Sequence, residues 1–263
     1  MIPKIAYFYW NDNTPLSYFR YLTLETFRKL HPEWQMKLYQ SNADVNSKWK
    51  GPESQDFLQK KNGVNYITKC KELDVDVLPY NKHSEKMPNF ISDFFRWEMM
   101  STTGGWFFDL DQIFLKNMND LCDYDFVIDG SDNCYVGVVG LAKNEIGQFI
   151  YDNIQHAYNP DHYCSIGPWF MLSLLKRPGN PELFKIMEKY NILLAPLEYF
   201  YPINSSDDVN ELYFKNVEVS NDSYAIHWYG GHPTSQEYNK HSTEEKFFKP
   251  TNTITTYIKK TLS

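Results

Sequence analysis

Two carboxylates stand two residues apart in Gly104-Gly105-Trp106-Phe107-Phe108-Asp109-Leu110-Asp111, directly after three aromatic residues. In an extended strand alternate side chains share a face. Asp109 and Asp111 then project together, while Phe108 and Leu110 turn the other way into a core. Two hard oxygen donors at the exit of a buried strand suit Mg²⁺ or Mn²⁺, the ions that accompany a diphosphate. A solvated pair of aspartates at a strand end has the same spacing, so both readings stand on the octapeptide alone. Asp74-Val75-Asp76-Val77-Leu78 repeats the alternation but lacks the Gly-Gly and aromatic context.

Three further groups could share that chemistry. Asp93 and Arg96 lie three apart in Asn89–Thr103, where Ile91, Phe94, Phe95, Glu98 and Met99 trace one mostly apolar helical face. They are either an intrahelical ion pair or a pair facing a ligand. In the second case the carboxylate takes hydroxyl protons and the guanidinium reaches an oxygen anion. His227 closes the strand-like Tyr224-Ala225-Ile226 and precedes Trp228-Tyr229-Gly230-Gly231. It is either a structural histidine or a ligand. Asp129 and Asp132, at and after the end of Phe126-Val127-Ile128, are two further carboxylates at a strand end.

The surrounding pattern says what must position these residues. Lys4 to Trp10 is an apolar, β-rich run. Thr14-Pro15 reads as helix N-cap and first turn, Leu16, Phe19, Thr23, Phe27 and Leu30 follow at helical spacing, and His31-Pro32 stops the helix. Trp34 to Tyr39 is a second strand. Strand, helix, strand is a βαβ unit with parallel strands and a right-handed crossover, and in such sheets ligands bind at the carboxyl ends of the strands. Phe8 to Asn11 lies at such an end. No Gly-x-Gly-x-x-Gly or P-loop sequence is present.

Further along, residues 41–63 read as a loop with a short helix after Pro52, and 74–78 as a strand. Residues 81–88 read as a loop. Strands are expected at 126–129, 135–142, 192–197 and 213–219, and helices at 144–158 and 181–190, while residues 165–175 hold Gly167-Pro168 followed by Met171, Leu172, Leu174 and Leu175. The two glycines in Tyr135 to Ala142 allow close backbone approach. The Lys- and Thr-rich tail, 242–263, reads as a surface helix. No repeat, low-complexity segment or linker divides the chain, so one α/β domain over 1–263 is expected.

Composition narrows the partners. A net charge of -7 disfavours nucleic acid, whose binding draws on Lys and Arg. It leaves a nucleotide open as substrate, since one metal ion neutralises a diphosphate locally. Four scattered cysteines with no C-x-x-C pair predict reduced thiols. No apolar run approaches the ~20 residues of a membrane span. With no signal-peptide pattern at Met1-Ile2-Pro3-Lys4, a cytoplasmic location is expected.

Taken in order, Ile2-Pro3-Lys4-Ile5 leading to Trp10, Ser92-Asp93-x-x-Arg96, Gly104-Gly105-x-x-x-Asp109-x-Asp111, Gly167-Pro168 and Ala225-Ile226-His227-Trp228 form an ordered set. The set resembles the glycosyltransferases with an Asp-x-Asp sugar-binding region, GT-A enzymes related to α-1,6-mannosyltransferases and α-1,4-galactosyltransferases. The likeness is strongest over 88–115. It implies a GT-A, Rossmann-like fold: one domain with a mostly parallel central sheet flanked by helices. It implies Mn²⁺ or Mg²⁺ held by Asp109, Asp111 and His227, with Asp109 also near the ribose. It places Asp93 and Arg96 on donor-sugar hydroxyls, and Phe8, Tyr9 and Trp10 along the nucleobase pocket. One departure lies at Gly231-His232-Pro233-Thr234-Ser235, where many relatives carry a second Trp.

The implied reaction moves a sugar from a nucleotide-diphosphate donor, UDP favoured over GDP, to a glycan or other hydroxyl acceptor in polysaccharide synthesis. A bound divalent ion stabilises the departing diphosphate as a Lewis acid. The resemblance is to retaining enzymes, which need no dedicated protein base; an inverting enzyme would need one, with Asp129 and Asp132 as candidates. Two other readings compete. A haloacid-dehalogenase-type phosphatase also ends a strand in Asp-x-Asp, with the first Asp as nucleophile, but there the motif usually opens the domain. A non-catalytic sugar-binding module on the same fold is the other.

Overall fold

In a computed structural model of the chain, the structure describes residues 1–11, 14–41, 64–204 and 208–263. The helix expected after Pro52 lies outside the described residues. The first βαβ unit consists of β1 (Ile5–Asn11), α1 (Tyr18–Leu30) and β2 (Gln35–Ser41), with β1 and β2 parallel from Ile5↔Gln35 to Asn11↔Ser41. The chain continues through β3 (Val75–Pro79), α2 (Pro88–Thr102), β4 (Gly105–Phe108), β5 (Gln112–Phe114), β6 (Phe126–Asp129) and β7 (Val138–Leu141). Helices α3 (Glu145–Ala157), α4 (Pro168–Leu175) and α5 (Pro181–Met187) precede β8 (Ile192–Ala195). The remainder is α6 (Val209–Phe214), β9 (Ala225–His227), α7 (Pro233–His241), α8 (Glu244–Phe247) and α9 (Thr253–Leu262).

Seven strands form one sheet in the order β3-β2-β1-β4-β7-β6-β8. Only β7 runs against the rest, pairing antiparallel with β4 and with β6. This is the α/β, mostly parallel sheet flanked by helices that the sequence led us to expect of a GT-A enzyme. Strand alternation splits the aromatic run between two cores. Phe8, Trp10, Trp106 and Phe108 join the cluster under α1 and α9; Tyr7, Tyr9 and Phe107 join the one under α2 and α3.

The turn from α2 into β4 needs both glycines. Gly104 and Gly105 have φ of +75° and +123°, where side chains are strained. A Cβ on Gly104 would stand 2.7 Å from the Lys143 nitrogen, and one on Gly105 2.8 Å from the Ile5 carbonyl. The glycines thus let β4 enter beside β1 without widening the sheet.

Four expectations are corrected. Helix α1 begins at Tyr18, not after Thr14-Pro15, because the Ser17 side chain accepts from the Arg20 N–H and caps it. Residues 213–219 are not a strand: Val209, Leu212 and Tyr213 are buried at helical spacing in α6, and no regular structure follows. Strand β7 is shorter than 135–142, because the chain up to Cys134 turns with positive φ. The tail is not a plain surface helix. Ile254 and Ile258 of α9 are fully buried against α1 and β5, and Asn252 closes a capping box. All four cysteines are free thiols, as expected.

The end of α1 is fixed by a neutral histidine. The His31 ring is buried, its Nε2 accepts the Met118 N–H at 3.0 Å, and its Nδ1 therefore donates to the Phe27 carbonyl at 3.0 Å. Burial pulls its pKa down from 6.5 to about 4. A depressed folded-state pKa means the unfolded chain takes up the proton first as pH falls. We therefore expect the His31 contribution to be complete above pH 6.5 and lost between 6.5 and 4, at about 3 kcal/mol. Urea titrations across that window should show this loss in the wild type and not in His31→Asn.

Candidate active site

Asp109 and Asp111 do meet, though not by strand alternation. Strand β4 ends at Phe108, and Asp109-Leu110-Asp111 forms a turn into β5. Leu110 and Phe108 still point into the core. Strand β5 pairs antiparallel with β9, setting Gln112 opposite His227, and the Trp228 N–H donates to the Asp111 carbonyl at 2.8 Å. This small ladder carries His227 to the aspartates. Ligand atoms of Asp109, Asp111 and His227 all lie within 4.8 Å of one another.

The two carboxylates differ. Asp111 is held on both sides: Oδ1 accepts from His227 Nε2 at 2.8 Å and Oδ2 from the Gly230 N–H at 2.7 Å. Burial works to raise its pKa, but His227, Arg20 and the Gly230 N–H outweigh it and bring Asp111 to about 2. Asp109 keeps 33% of its side-chain surface open and accepts from Arg96 Nη2 at 3.2 Å. Burial shifts it upward, the Asp111 charge adds to that, and Arg96 opposes.

Arg96 is the hinge between helix and turn. Its Nη1 donates to Asp93 Oδ1 at 2.5 Å while Nη2 reaches Asp109, and its guanidinium lies 4.2 Å from the centre of the Phe107 ring. Asp93 is buried, and burial together with the Asp109 charge lifts it to about 6 against the pull of Arg96. The intrahelical pair and the ligand-facing pair were posed as alternatives; the geometry holds the ion pair and also aims it at Asp109.

The donor set suits a divalent cation. Two carboxylates and an imidazole are oxygen and nitrogen ligands of the kind Mn²⁺ and Mg²⁺ accept. At metal–ligand distances of ~2.1 Å, ligand atoms sit roughly 3–4 Å apart, in keeping with the 4.8 Å limit here. His227 Nδ1 is buried without a hydrogen-bond partner, so the ring has a second nitrogen not committed to the fold.

The other predicted residues are placed differently. Phe8 is fully buried between Phe27 and Phe108 and belongs to the core. Tyr9 hydrogen-bonds Ser41, and Trp10 Nε1 donates to the Thr14 carbonyl at 2.7 Å. Asp129 is buried with its oxygens taken by the Ser131 N–H, the Ser131 hydroxyl and the Tyr135 N–H. Asp132 is largely exposed, 4.0 Å from Arg177.

Sequence reasoning missed several neighbours. Arg20, buried on α1, lies 4.5 Å from the Trp10 ring centre and 5.2 Å from that of Trp228, and its charge lowers both Asp109 and Asp111. An arginine amid the aromatic face of an amphipathic helix was the available signal. Tyr201 and Tyr229 set their rings edge-on to His227 at 5.4 and 4.3 Å. A Cβ on Gly137 would stand 2.7 Å from Asp109 Oδ2, the close approach that the glycine-bearing strand foretold.

Just past the carboxyl end of β4 in a mostly parallel sheet, Asp109, Asp111 and His227 form a cluster that could hold a metal ion. The model of the glycosyltransferase sugar-binding region containing the DXD motif matches residues 18–127, and that of the α-1,4-glycosyltransferase conserved region matches 141–253. The two matches together span most of the chain and support a glycosyltransferase over the phosphatase reading, with Asp109-Leu110-Asp111 inside the first match. No curated protein sequence matches it. Among solved structures it is similar to the PaToxG glycosyltransferase (15% identity, 72% of this chain and 74% of that one, TM-score 0.47). It is also similar to the glycosyltransferase GlyE of Streptococcus pneumoniae (12%, 85% and 54%, 0.47) and mouse xyloside xylosyltransferase 1 (11%, 89% and 100%, 0.46). The chain thus spans about half of GlyE. These likenesses are distant, and nothing about this chain's substrate follows from them.

Cutting the Arg96 bridge should be costly whatever the substrate. Arg96→Met leaves a buried carboxylate without its cation, a change worth about 3–5 kcal/mol. Urea unfolding should show that loss, and adding Asp93→Asn should restore part of it.

Proposed function

We propose that this glycosyltransferase is metal-dependent and draws its sugar from a nucleotide-diphosphate donor, with a hydroxyl of a glycan or glycoconjugate as acceptor. The observation that carries the reading is the convergence of Asp109, Asp111 and His227 within 4.8 Å beside the Asp93–Arg96 pair. In this reading Asp111 and His227 are the fixed ligands and the more open Asp109 is the one shared with the donor. Mn²⁺ or Mg²⁺ bound there supplies Lewis-acid stabilisation of the diphosphate as the sugar leaves.

The chain's own groups do the rest. Asp93 accepts hydroxyl protons of the donor sugar, and Arg96 orients Asp93 while directing positive charge toward the phosphate side. Arg20 contributes a second buried positive charge near the same carboxylates. Tyr9 and Trp10, at the carboxyl end of β1, are the candidates for the nucleobase side, with UDP preferred to GDP. Phe8 supports them from the core and does not itself line the pocket.

Retention is the stereochemical outcome we favour. Asp129 has its oxygens engaged by three donors, and Asp132 is exposed beside Arg177. Neither is arranged as a free base, which supports a reaction in which the departing phosphate oxygen takes the acceptor proton. Among the described residues no helix is long and apolar enough to cross a membrane.

A panel of UDP- and GDP-sugars, each with Mn²⁺, should reveal donor hydrolysis that EDTA abolishes. Asp109→Asn and Asp111→Asn should each lower turnover by about a hundredfold or more, as losses of ~3 kcal/mol at the transition state do. Turnover that survives EDTA and both substitutions would defeat the proposal, and an inverted anomeric product by NMR would defeat retention.

Metal binding has its own readout. At a hundredfold excess over its dissociation constant an ion stabilises by about 2.7 kcal/mol, worth roughly 5–10 °C in Tm for a chain this size. Mn²⁺ should raise the wild-type Tm by that order and leave Asp111→Asn unmoved.

A further inference from the structure

Among the described residues tryptophan is buried almost everywhere. Trp10, Trp34, Trp97, Trp106 and Trp228 are all at or below 9% exposure, yet Trp169 is 55% exposed. It opens α4, two residues after Gly167, and a Cβ on Gly167 would lie 3.3 Å from Asp93 Oδ2. The exposed indole therefore stands on the segment that closes over the Asp93 side of the site.

That segment is built to hold its shape. The Ser165 hydroxyl donates to the Asn159 carbonyl and accepts the Asn159 N–H, at 3.0 and 3.1 Å. The N–H groups of Gly167 and Trp169 both donate to the Cys164 carbonyl at 3.2 Å. Two bonds tie the segment to α2: Asn89 Nδ2 to the Tyr163 carbonyl and Trp97 Nε1 to the Ile166 carbonyl, each at 3.3 Å. One more ring accompanies the indole: that of His162 lies 5.4 Å from the Trp169 ring centre. The next residue in sequence, Tyr163, is 39% exposed.

Holding an exposed aromatic group fixed in water gains nothing for the fold. It gives a large, rigid, amphipathic contact surface at low entropic cost to a ligand. A pyranose ring fits such a surface, since it offers an apolar C–H face together with hydroxyls for the neighbouring imidazole and phenol.

From these observations we infer that Trp169, with His162 and Tyr163, is the stacking platform for a pyranose of the acceptor glycan. The inference rests on the donor reading of Asp93 given above. The donor sugar occupies the buried end at Asp93, so the outer, exposed ring serves the substrate that arrives second. Trp169 is a specificity-determining residue and touches no bond that breaks.

The test uses the full chain, the donor found in the hydrolysis panel, and lactose, cellobiose and maltose as probe acceptors. Trp169→Ala should raise the acceptor KM tenfold or more for any sugar that is glycosylated. Trp169→Phe should recover most of that loss, which a merely structural role would not predict. Donor KM and hydrolysis to water should stay within twofold in both. The same sugars should protect the wild type from acrylamide quenching, and Trp169→Ala should abolish the protected component.

An unchanged acceptor KM overturns the inference. So does a rise in donor KM alone, which would make the ring a donor contact, or a change in size-exclusion behaviour, which would make it a contact between copies. A panel in which no sugar is glycosylated or protects the indole also counts against it. Absence of donor hydrolysis in the wild type would instead defeat the metal-dependent donor reading, so the two failures are distinguishable.

Discussion

One guanidinium ties helix α2 to the Asp109–Asp111 turn. Arg96 projects from α2, pairs with Asp93 on its own helix and reaches Asp109 beyond the end of β4. Both carboxylates have burial working against their charge, and both have Arg96 working for it. A buried ion pair contributes little net stability compared with an apolar replacement, but losing one partner is costly. The interaction therefore fixes geometry more than it stabilises the fold. It makes the position of helix α2 and that of the turn one variable, and the Gly104-Gly105 turn is what lets so short a connection exist.

The opposite wall is joined by backbone. The ladder of β5 and β9 sets Gln112 across from His227, and Trp228 and Gly230 both donate to Asp111, one to its carbonyl and one to its carboxylate. Beneath that loop, Trp228 stacks on Phe19 of α1 at 4.0 Å between ring centres. The same helix carries Arg20 to the site. The first helix and the last third of the chain thus meet under one aspartate, and the site is assembled from contacts far apart in sequence.

That difference explains how much could be read in advance. The βαβ unit, the buried strands and helix α2 follow from local periodicity, and the Asp-x-Asp pair and the Asp93/Arg96 spacing are local signals as well. Caps and weak strands were misread where a tertiary contact decides. Ser17, not Thr14, caps α1, and residues 209–214 bury a helical face that an apolar run beginning at Tyr213 does not reveal. Phe8 looked like a pocket residue because it stands near a strand end, yet alternation turns it into the core while Asn11 reaches the end itself. Arg20 and the Gly230 N–H were not legible. Nothing within a few residues of either says that it faces Asp111.

Charge gives the site its direction. Asp93, Asp109 and Asp111 carry three negative charges near one another, and Arg96 and Arg20 supply two positive ones. Counting these five groups, the cluster is short by one positive charge, and the ligand atoms converge at Asp109 and Asp111. A monovalent ion would only neutralise it. A divalent ion leaves one positive charge over, so the loaded site attracts an anion instead of repelling it. Arg20 and Arg96 cannot do this alone, because Coulomb energy falls with distance and each already faces a fixed carboxylate. In the proposed reaction the ion would therefore be needed before the diphosphate or together with it. An Asp pair without Arg96 would bind the ion more tightly and leave less attraction for the nucleotide. In the proposed reaction the guanidinium that fixes the geometry would thereby also keep the balance from which a diphosphate is recognised.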